Sequence, residues 1–293
     1  MLTRVTSQTR MLNAQHNLQS SAAMLAKLQD QSTTLKKISV PSDDPTGTAD
    51  SLRVRVSQAA TAQYGRNIDD ATGWLDTMDS TLSATTDILR RVRDLTVQGA
   101  NDGALSATAK EAIASELEGL KTDLMGKANA TYLGRTIFAG NSDAGVAVRP
   151  DYTFTGTGST VQRRLDAGST VQVDADGATV FGSGATSVFA LLDTIVTDLR
   201  TGVNVGPQLA GIDDAVTAVT TEQSSVGARQ LQVERAKGLN VAATGTLEAK
   251  RADVEDVDIA EMVLQLKQQE ITYQSALAIT SRTLQPTLMD FLR

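Results

Sequence analysis

The chain contains no cysteine, which excludes disulfides, Cys-ligated zinc and a thiol nucleophile. Aromatic side chains are nearly as scarce, at 3% of 293 residues, and Ala, Leu and Val carry much of the hydrophobic share, which favours packing through small and aliphatic side chains. Only 5 prolines interrupt it, which leaves room for long helices. Positive charge is in deficit, with 27 Lys and Arg against 34 Asp and Glu, so there is no basic field to draw the chain onto nucleic acid or an anionic membrane. No run approaches the ~20 apolar residues of a spanning helix. Residues 1–20 lack the short apolar core of a cleaved secretory signal, a pattern shared by cytoplasmic chains and by chains exported through a dedicated channel.

What the sequence has in quantity is heptad patterning. Met11, Leu18, Leu25 and Ser32 alternate with Ala14, Ser21, Leu28 and Leu35 at offsets of three and four, which predicts an amphipathic helix ending at Val40-Pro41. Asp44 then caps a new helix with Pro45 in its first position. From Tyr64 to Gly99 the rows Ile68/Leu75/Leu82/Leu89 and Ala71/Met78/Thr85/Val92 predict one long helix. Gly99 to Gly103 closes it, and Thr108 with Glu111 forms a capping box for the next.

Residues 141–184 change texture, with Gly-rich turns and period-two pairs at Tyr152/Phe154, Val161/Leu165 and Val171/Val173 that predict short strands with a core of their own. Helical spacing returns at Val188, Leu192, Ile195 and Leu199, then at Leu209, Ile212, Val216 and Val219. Asp258 and Glu261 cap a final helix carrying Ile259, Met262, Leu266, Tyr273, Leu277 and Leu284, ahead of Pro286. Opposite charge links the ends: residues 1–40 hold five Lys/Arg against one acid, whereas 246–293 hold five against eight. The fold class expected is mainly α: a long antiparallel bundle or coiled coil formed by the N- and C-terminal halves, with a small β-rich inserted domain. The expected segments are 1–44 and 248–293 as terminal helices, 45–140 and 185–247 as bundle, and 141–184 as insertion.

Pro41-Ser42-Asp43-Asp44-Pro45, Tyr132-Leu133-Gly134-Arg135-Thr136-Ile137-Phe138-Ala139-Gly140, Asp258-Ile259-Ala260-Glu261, Tyr273-Gln274-Ser275-Ala276-Leu277 and Leu288-Met289-Asp290-Phe291-Leu292 together resemble the flagellin superfamily. Within it they are more similar to hook-filament junction subunits than to filament subunits; Arg135-Thr136-Ile137-Phe138 departs from the more usual Tyr-Leu-Phe type of run. The resemblance implies an extracellular flagellar subunit, exported unfolded through the flagellar secretion channel. It implies partners among other flagellar axial proteins: hook-associated protein 1 on the hook side, flagellin on the filament side, further copies in a ring, and an export chaperone. It implies no catalytic, cofactor or metal residues. Met11, Leu18, Leu25, Leu28, Leu35, Ile259, Met262, Leu266, Tyr273, Leu277 and Leu284 are the expected assembly interface, because their thin stripes have no further layer of this chain to cover them. Such helices order when neighbours arrive. A compact filament flagellin, or a coiled-coil scaffold or signalling protein, are the alternatives.

Other motifs have simpler readings. His16, the only histidine, sits near the N-terminal seam as a surface residue. Gly156-Thr157-Gly158-Ser159 and Gly182-Ser183-Gly184-Ala185 lack the Lys-Ser/Thr of a phosphate loop and read as turns. Arg90, Arg91 and Arg93 form a solvated face, and Trp74 packs within the chain. An enzyme in residues 141–184 would lack His, Cys, Glu and Lys, although Asp143, Asp151, Asp166, Asp174 and Asp176 leave calcium open.

Overall fold

The computed structural model describes residues 7–101, 105–156 and 158–284. The Leu288–Leu292 motif, Pro286 and Gly103 lie outside them. Seven helices are described, α1 (Ser7–Thr34), α2 (Pro45–Gly99), α3 (Ala107–Ala128), α4 (Gly177–Phe181), α5 (Val188–Thr201), α6 (Leu209–Glu255) and α7 (Ile259–Leu284), with two short hairpins between α3 and α4. The chain divides into a central unit, residues 60–243, and a terminal unit, residues 1–59 with 244–293.

In the central unit the heptad rows of α2 are buried along their length, from Ile68 and Ala71 through Leu75, Met78, Leu82 and Leu89 to Val92. Threonines are tolerated inside this helix because each hydroxyl finds a helix carbonyl: Thr81, Thr85, Thr86 and Thr96 donate to the residue four back at 2.7–3.0 Å. On α6 the buried row is Ile212, Val219, Val226 and Val233, seven residues apart throughout. Polar ties fix the antiparallel register of the two helices, from Arg93 to Asp213 (2.7 Å) through Asp79 to Gln223 and Asp76 to Gln230 (both 3.1 Å). The three arginines of the α2 face are half-solvated partners of Asp87, Glu116 and Asp213.

α3 packs on α5. Its cap is Ser106, whose hydroxyl accepts from the Ala109 amide, in place of the predicted Thr108. Glu111 and Glu118 instead share Arg200 of α5, and their carboxyls are held below the ordinary range by its hydrogen bonds.

Strands β1 (Thr131–Tyr132) and β2 (Arg135–Thr136) make a hairpin that the sequence pattern did not predict, with Leu133 and Gly134 at its tip. Tyr132 lies against Trp74, ring centroids 5.5 Å apart, and reaches α2 at Gly73, where a Cβ would collide with its hydroxyl. Strands β3 (Gln162–Arg164) and β4 (Thr170–Gln172) pair antiparallel, where Val161/Leu165 and Val171/Val173 had predicted strands; Phe154 makes one bridge to Val148.

This region differs from expectation in having no separate core. Val161, Leu165, Val171, Val173, Val180 and Phe181 belong to the same buried cluster as Trp74, Leu117 and Leu192. The physical reason is size: two hairpins of two and three residues per strand bury too little apolar surface to stand alone. Gly182 takes φ +74° and ψ −175° after α4, a conformation reserved for glycine, so the Gly182–Ala185 motif is a turn.

A candidate assembly surface

The terminal unit is built by α1, the first part of α2, the end of α6, and α7. α1 and α7 pack together. On α1 the covered row runs through Ala14, Leu18, Ser21, Leu25, Leu28 and Ser32, and on α7 through Met262, Leu266, Gln269, Tyr273, Ala276 and Thr280, with Ala22, Gln31 and Glu270 partly covered beside them. Both sets advance by four and three, the spacing of a two-stranded seam. Their register is antiparallel, fixed where the Val257 amide donates to the Leu35 carbonyl (3.2 Å) and where Gln269 Nε2 donates to Ser21 (3.1 Å).

The expected interface residues fall into several places on this pair. Leu28 and Met262 are buried by their own chain, at 8% and 4% exposure. Leu18, Leu25, Leu266 and Tyr273 are half-buried in the seam, whereas Met11, Ile259 and Leu277 are exposed at its edges. Leu284 ends α7, with its side chain outside the described residues. Leu35 is not on α1 at all: the helix stops at Thr34, short of Val40, and Leu35 follows in the left-handed region (φ +55°) with its amide on the Gln31 carbonyl. None of the ion pairs among the described residues joins α1 to α7, so the opposite net charges of the two ends act at most as a diffuse field.

Outside the seam both helices show large apolar side chains to solvent. On α1 these are Met11, Leu12 and Met24; on α7 they include Val263, Leu264, Ile271 and Ile279. At 100° per residue, Leu264 and Ile271 lie about 160–180° around the helix from the seam, so α7 is apolar on two opposite faces. Leu264 and Ile271 thus leave apolar surface bare on the side of α7 opposite the covered seam. The predicted stripe captured the first face; Leu264 and Ile271, also seven apart, are the signal for the second.

A polar joint closes the seam where α1 leads to α2 and α6 to α7. Glu255 is 4% exposed and accepts from Ser51 Oγ (2.5 Å) and from Arg55 through Nε (2.7 Å) and Nη2 (2.9 Å). The Arg55 and Ser51 hydrogen bonds pull its carboxyl down to about 2. The Lys37 amide donates to the Glu255 carbonyl at 2.7 Å, and Lys36 bridges Asp256 as a single antiparallel pair. Asp43 accepts from Lys27 (2.9 Å) and the Val40 amide (3.2 Å), chiefly the Lys27 bond lowering its pKa, while Asp44 caps α2 through the Gly47 amide (2.9 Å). The adjacent aspartates are thus a turn and a cap, and Asp258 caps α7 through the Ala260 amide (2.8 Å). The Ser51 hydroxyl does lie on the Glu255 carboxylate, but that carboxylate is held by Arg55 with its pKa lowered to about 2, too weak a base to activate the hydroxyl.

Elsewhere, among the described residues, no three acids or histidines converge on a metal position. Asp151 and Asp166 close tight turns, Asp176 caps α4, and Asp174 accepts from the Val161 amide at 2.8 Å with burial raising its pKa. His16 is exposed, and Trp74 is buried beneath Tyr132 and Arg163.

The N-terminal helical region of bacterial flagellin matches residues 5–143, and the C-terminal helical region of bacterial flagellin matches residues 209–292. The chain belongs to the flagellin family. This flagellin-family chain is 25% identical to flagellar hook-associated protein 3 of Salmonella typhimurium, with 92% of this chain and 93% of that protein covered. It is 24% identical to flagellin of Bacillus subtilis over the same shares of each chain. Among solved structures, one described as a flagellar hook-associated protein from Vibrio parahaemolyticus superimposes with a TM-score of 0.68 at 20% identity, covering 73% of this chain and all of that one. The flagellar junction protein of Legionella pneumophila gives 0.59 at 15%, covering 71% and 100%. These likenesses establish the helical fold with its small central sheet region.

Proposed function

We propose that this chain is the structural adaptor at the hook-filament junction of the flagellum, with no catalytic role. The observation that carries the reading is the correspondence with hook-associated protein 3 across nearly the full length of both chains. The doubly apolar α7 supports the way it assembles. In this reading α1 and α7 form the inner pair within 1–44 and 248–293, 45–140 and 185–247 supply the bundle, and 141–184 faces outward. Leu18, Leu25, Leu28, Met262, Leu266 and Tyr273 hold the pair together. Met11, Ile259 and Leu277 border the row that neighbouring subunits cover. Those neighbours are hook-associated protein 1 below, flagellin above and copies of this chain around the ring, reached after export through the flagellar secretion channel with a chaperone's help.

Electron microscopy of cells lacking the chain tests this: hooks without filaments are expected, and normal filaments would end the reading. A compact filament flagellin is the second reading, favoured by the likeness to Bacillus subtilis flagellin. A filament subunit repeats one heterologous contact indefinitely, whereas a junction subunit meets unlike neighbours above and below. Purified chain is therefore expected not to extend flagellar seeds; long filaments grown from this chain alone would favour the second reading.

A further inference from the structure

The joint of the terminal unit is also a cleft. About 410 Å³ of space lies between the end of α1, the turn that follows it and the first turns of α2, with Glu255 at one wall. Its apolar lining is open to solvent: Val40 is 49% exposed, Leu52 is 59% exposed, and Pro41 stands bare beside them. Apolar side chains exposed singly are the surface norm, but here three from two different elements converge on one concavity and stay uncovered. Charge of both signs surrounds them. Lys36 and Arg55 line the cleft, Arg55 remaining 54% exposed while it holds Glu255, and the exposed Asp30 adds a negative group. Such a cleft suits a short apolar segment with an acid in its middle and a base beside it.

The chain carries such a segment past α7. Leu288-Met289-Asp290-Phe291-Leu292 has four apolar residues around one acid, and Arg293 follows. The joint of its own chain is out of its reach. α7 starts at the joint and runs away from it for 26 residues, about 39 Å. The eight residues from Gln285 to Leu292 span at most about 29 Å when fully extended. A segment returning along α7 would stop about 10 Å short, so the joint it can enter belongs to another molecule.

We infer that the cleft at the Glu255 joint receives the Leu288–Leu292 segment of a second copy of this chain, with Phe291 and its apolar neighbours on Val40, Pro41 and Leu52. Asp290 then faces Lys36 and Arg55, and Arg293 faces Asp30. In an axial assembly all copies point the same way, so donor and acceptor are staggered along the α1-α7 axis and the contact is heterologous. The inference rests on the reading of the chain as an assembling flagellar subunit, and it names the segment by which one copy holds the next.

The chain has no cysteine, so engineered thiols report without background. Leu52→Cys and Phe291→Cys chains are co-expressed in cells lacking the natural copy, and isolated flagella are oxidised and run on denaturing gels. A disulfide requires Cα atoms within about 7 Å, so only a seated segment forms one. Dimers that need both variants are expected. Flagella that contain both chains but yield only monomers, or dimers from either variant alone, would overturn the contact. A charge-exchange pair separates assembly from folding. Leu52→Asp places a charge at an exposed position, so the purified chain is expected to keep its Tm while filament-bearing cells fall severalfold; Phe291→Lys in the same chain is expected to restore them. Wild-type filaments with Leu52→Asp alone, or no recovery in the double variant, would also overturn it. Failure of the adaptor reading shows differently, as normal filaments in cells without the chain.

Discussion

Glu255→Gln removes the charge from the joint of the terminal unit while keeping the side chain's size. A carboxyl that titrates near 4.5 in the unfolded chain and at about 2 in the folded one corresponds to about 3 kcal/mol of coupling. The Arg55 side chain is 54% exposed, and water screening reduces the net contribution to about 1–2 kcal/mol. Because the folded pKa is depressed, this stabilisation is complete above the unfolded value of 4.5 and is lost as pH falls through about 2. Urea unfolding can assign the loss to the correct unit. Trp74, the sole tryptophan, is buried in the central unit, so its fluorescence follows that unit alone, while far-ultraviolet circular dichroism follows both. At pH 7 the variant is expected to lower the circular dichroism transition and leave the fluorescence transition in place, with the gap to wild type closing between about pH 5 and pH 2. An equal gap at pH 7 and pH 2, or none at pH 7, would refute the assignment of the stabilisation to the charged joint.

Gly182→Ala places a Cβ within 2.7 Å of Thr186 and Ser187 backbone atoms at a glycine-only conformation, so a loss of at least about 1–3 kcal/mol is expected in thermal melts. Replacing residues 145–180 by a short linker strips Val161, Leu165, Val171 and Val173 from the shared core; lowered helicity and an early Trp74 transition are expected, against the unchanged bundle that an independent insertion would leave. Tyr152→Phe removes the 2.6 Å hydrogen bond to Asp193, and a drop of about 1 kcal/mol is expected in denaturant titrations. Leu264→Asp with Ile271→Asp leaves the seam intact, so the variant is expected to keep its α1-α7 helicity and fail to enter flagella, scored by immunogold labelling.

Long helices were legible because heptad rows are a repeated, local signal: Ile68 to Val92 were read and are buried. The first face of α7 was legible for the same reason. The β1-β2 hairpin was not, because Leu133-Gly134 lacks the Asn-Gly signature of its turn. Thr108 looked like a cap by spacing, but Ser106 two residues earlier reaches the amide first. The Ser51–Arg55–Glu255 joint was invisible, since about 200 residues separate its members and each alone is an ordinary polar helix residue. Gln269 and Thr280 sit in the seam where an apolar pattern would not place them.

The seam joins Ser21 to Gln269, among the most distant partners in the chain. For a flexible chain, closing a loop of that length costs about 5 kcal/mol of entropy before any contact is gained. Folding of the central unit changes that cost, because Asn240 Nδ2 then donates to the Thr61 carbonyl at 2.9 Å and the two strands of chain leaving the unit start side by side. The unclosed loop shrinks from hundreds of residues to a few tens. Order of events follows from this topology: the centre condenses first, and the terminal pair zips from the Glu255 joint outward, as the last step in and the first step out.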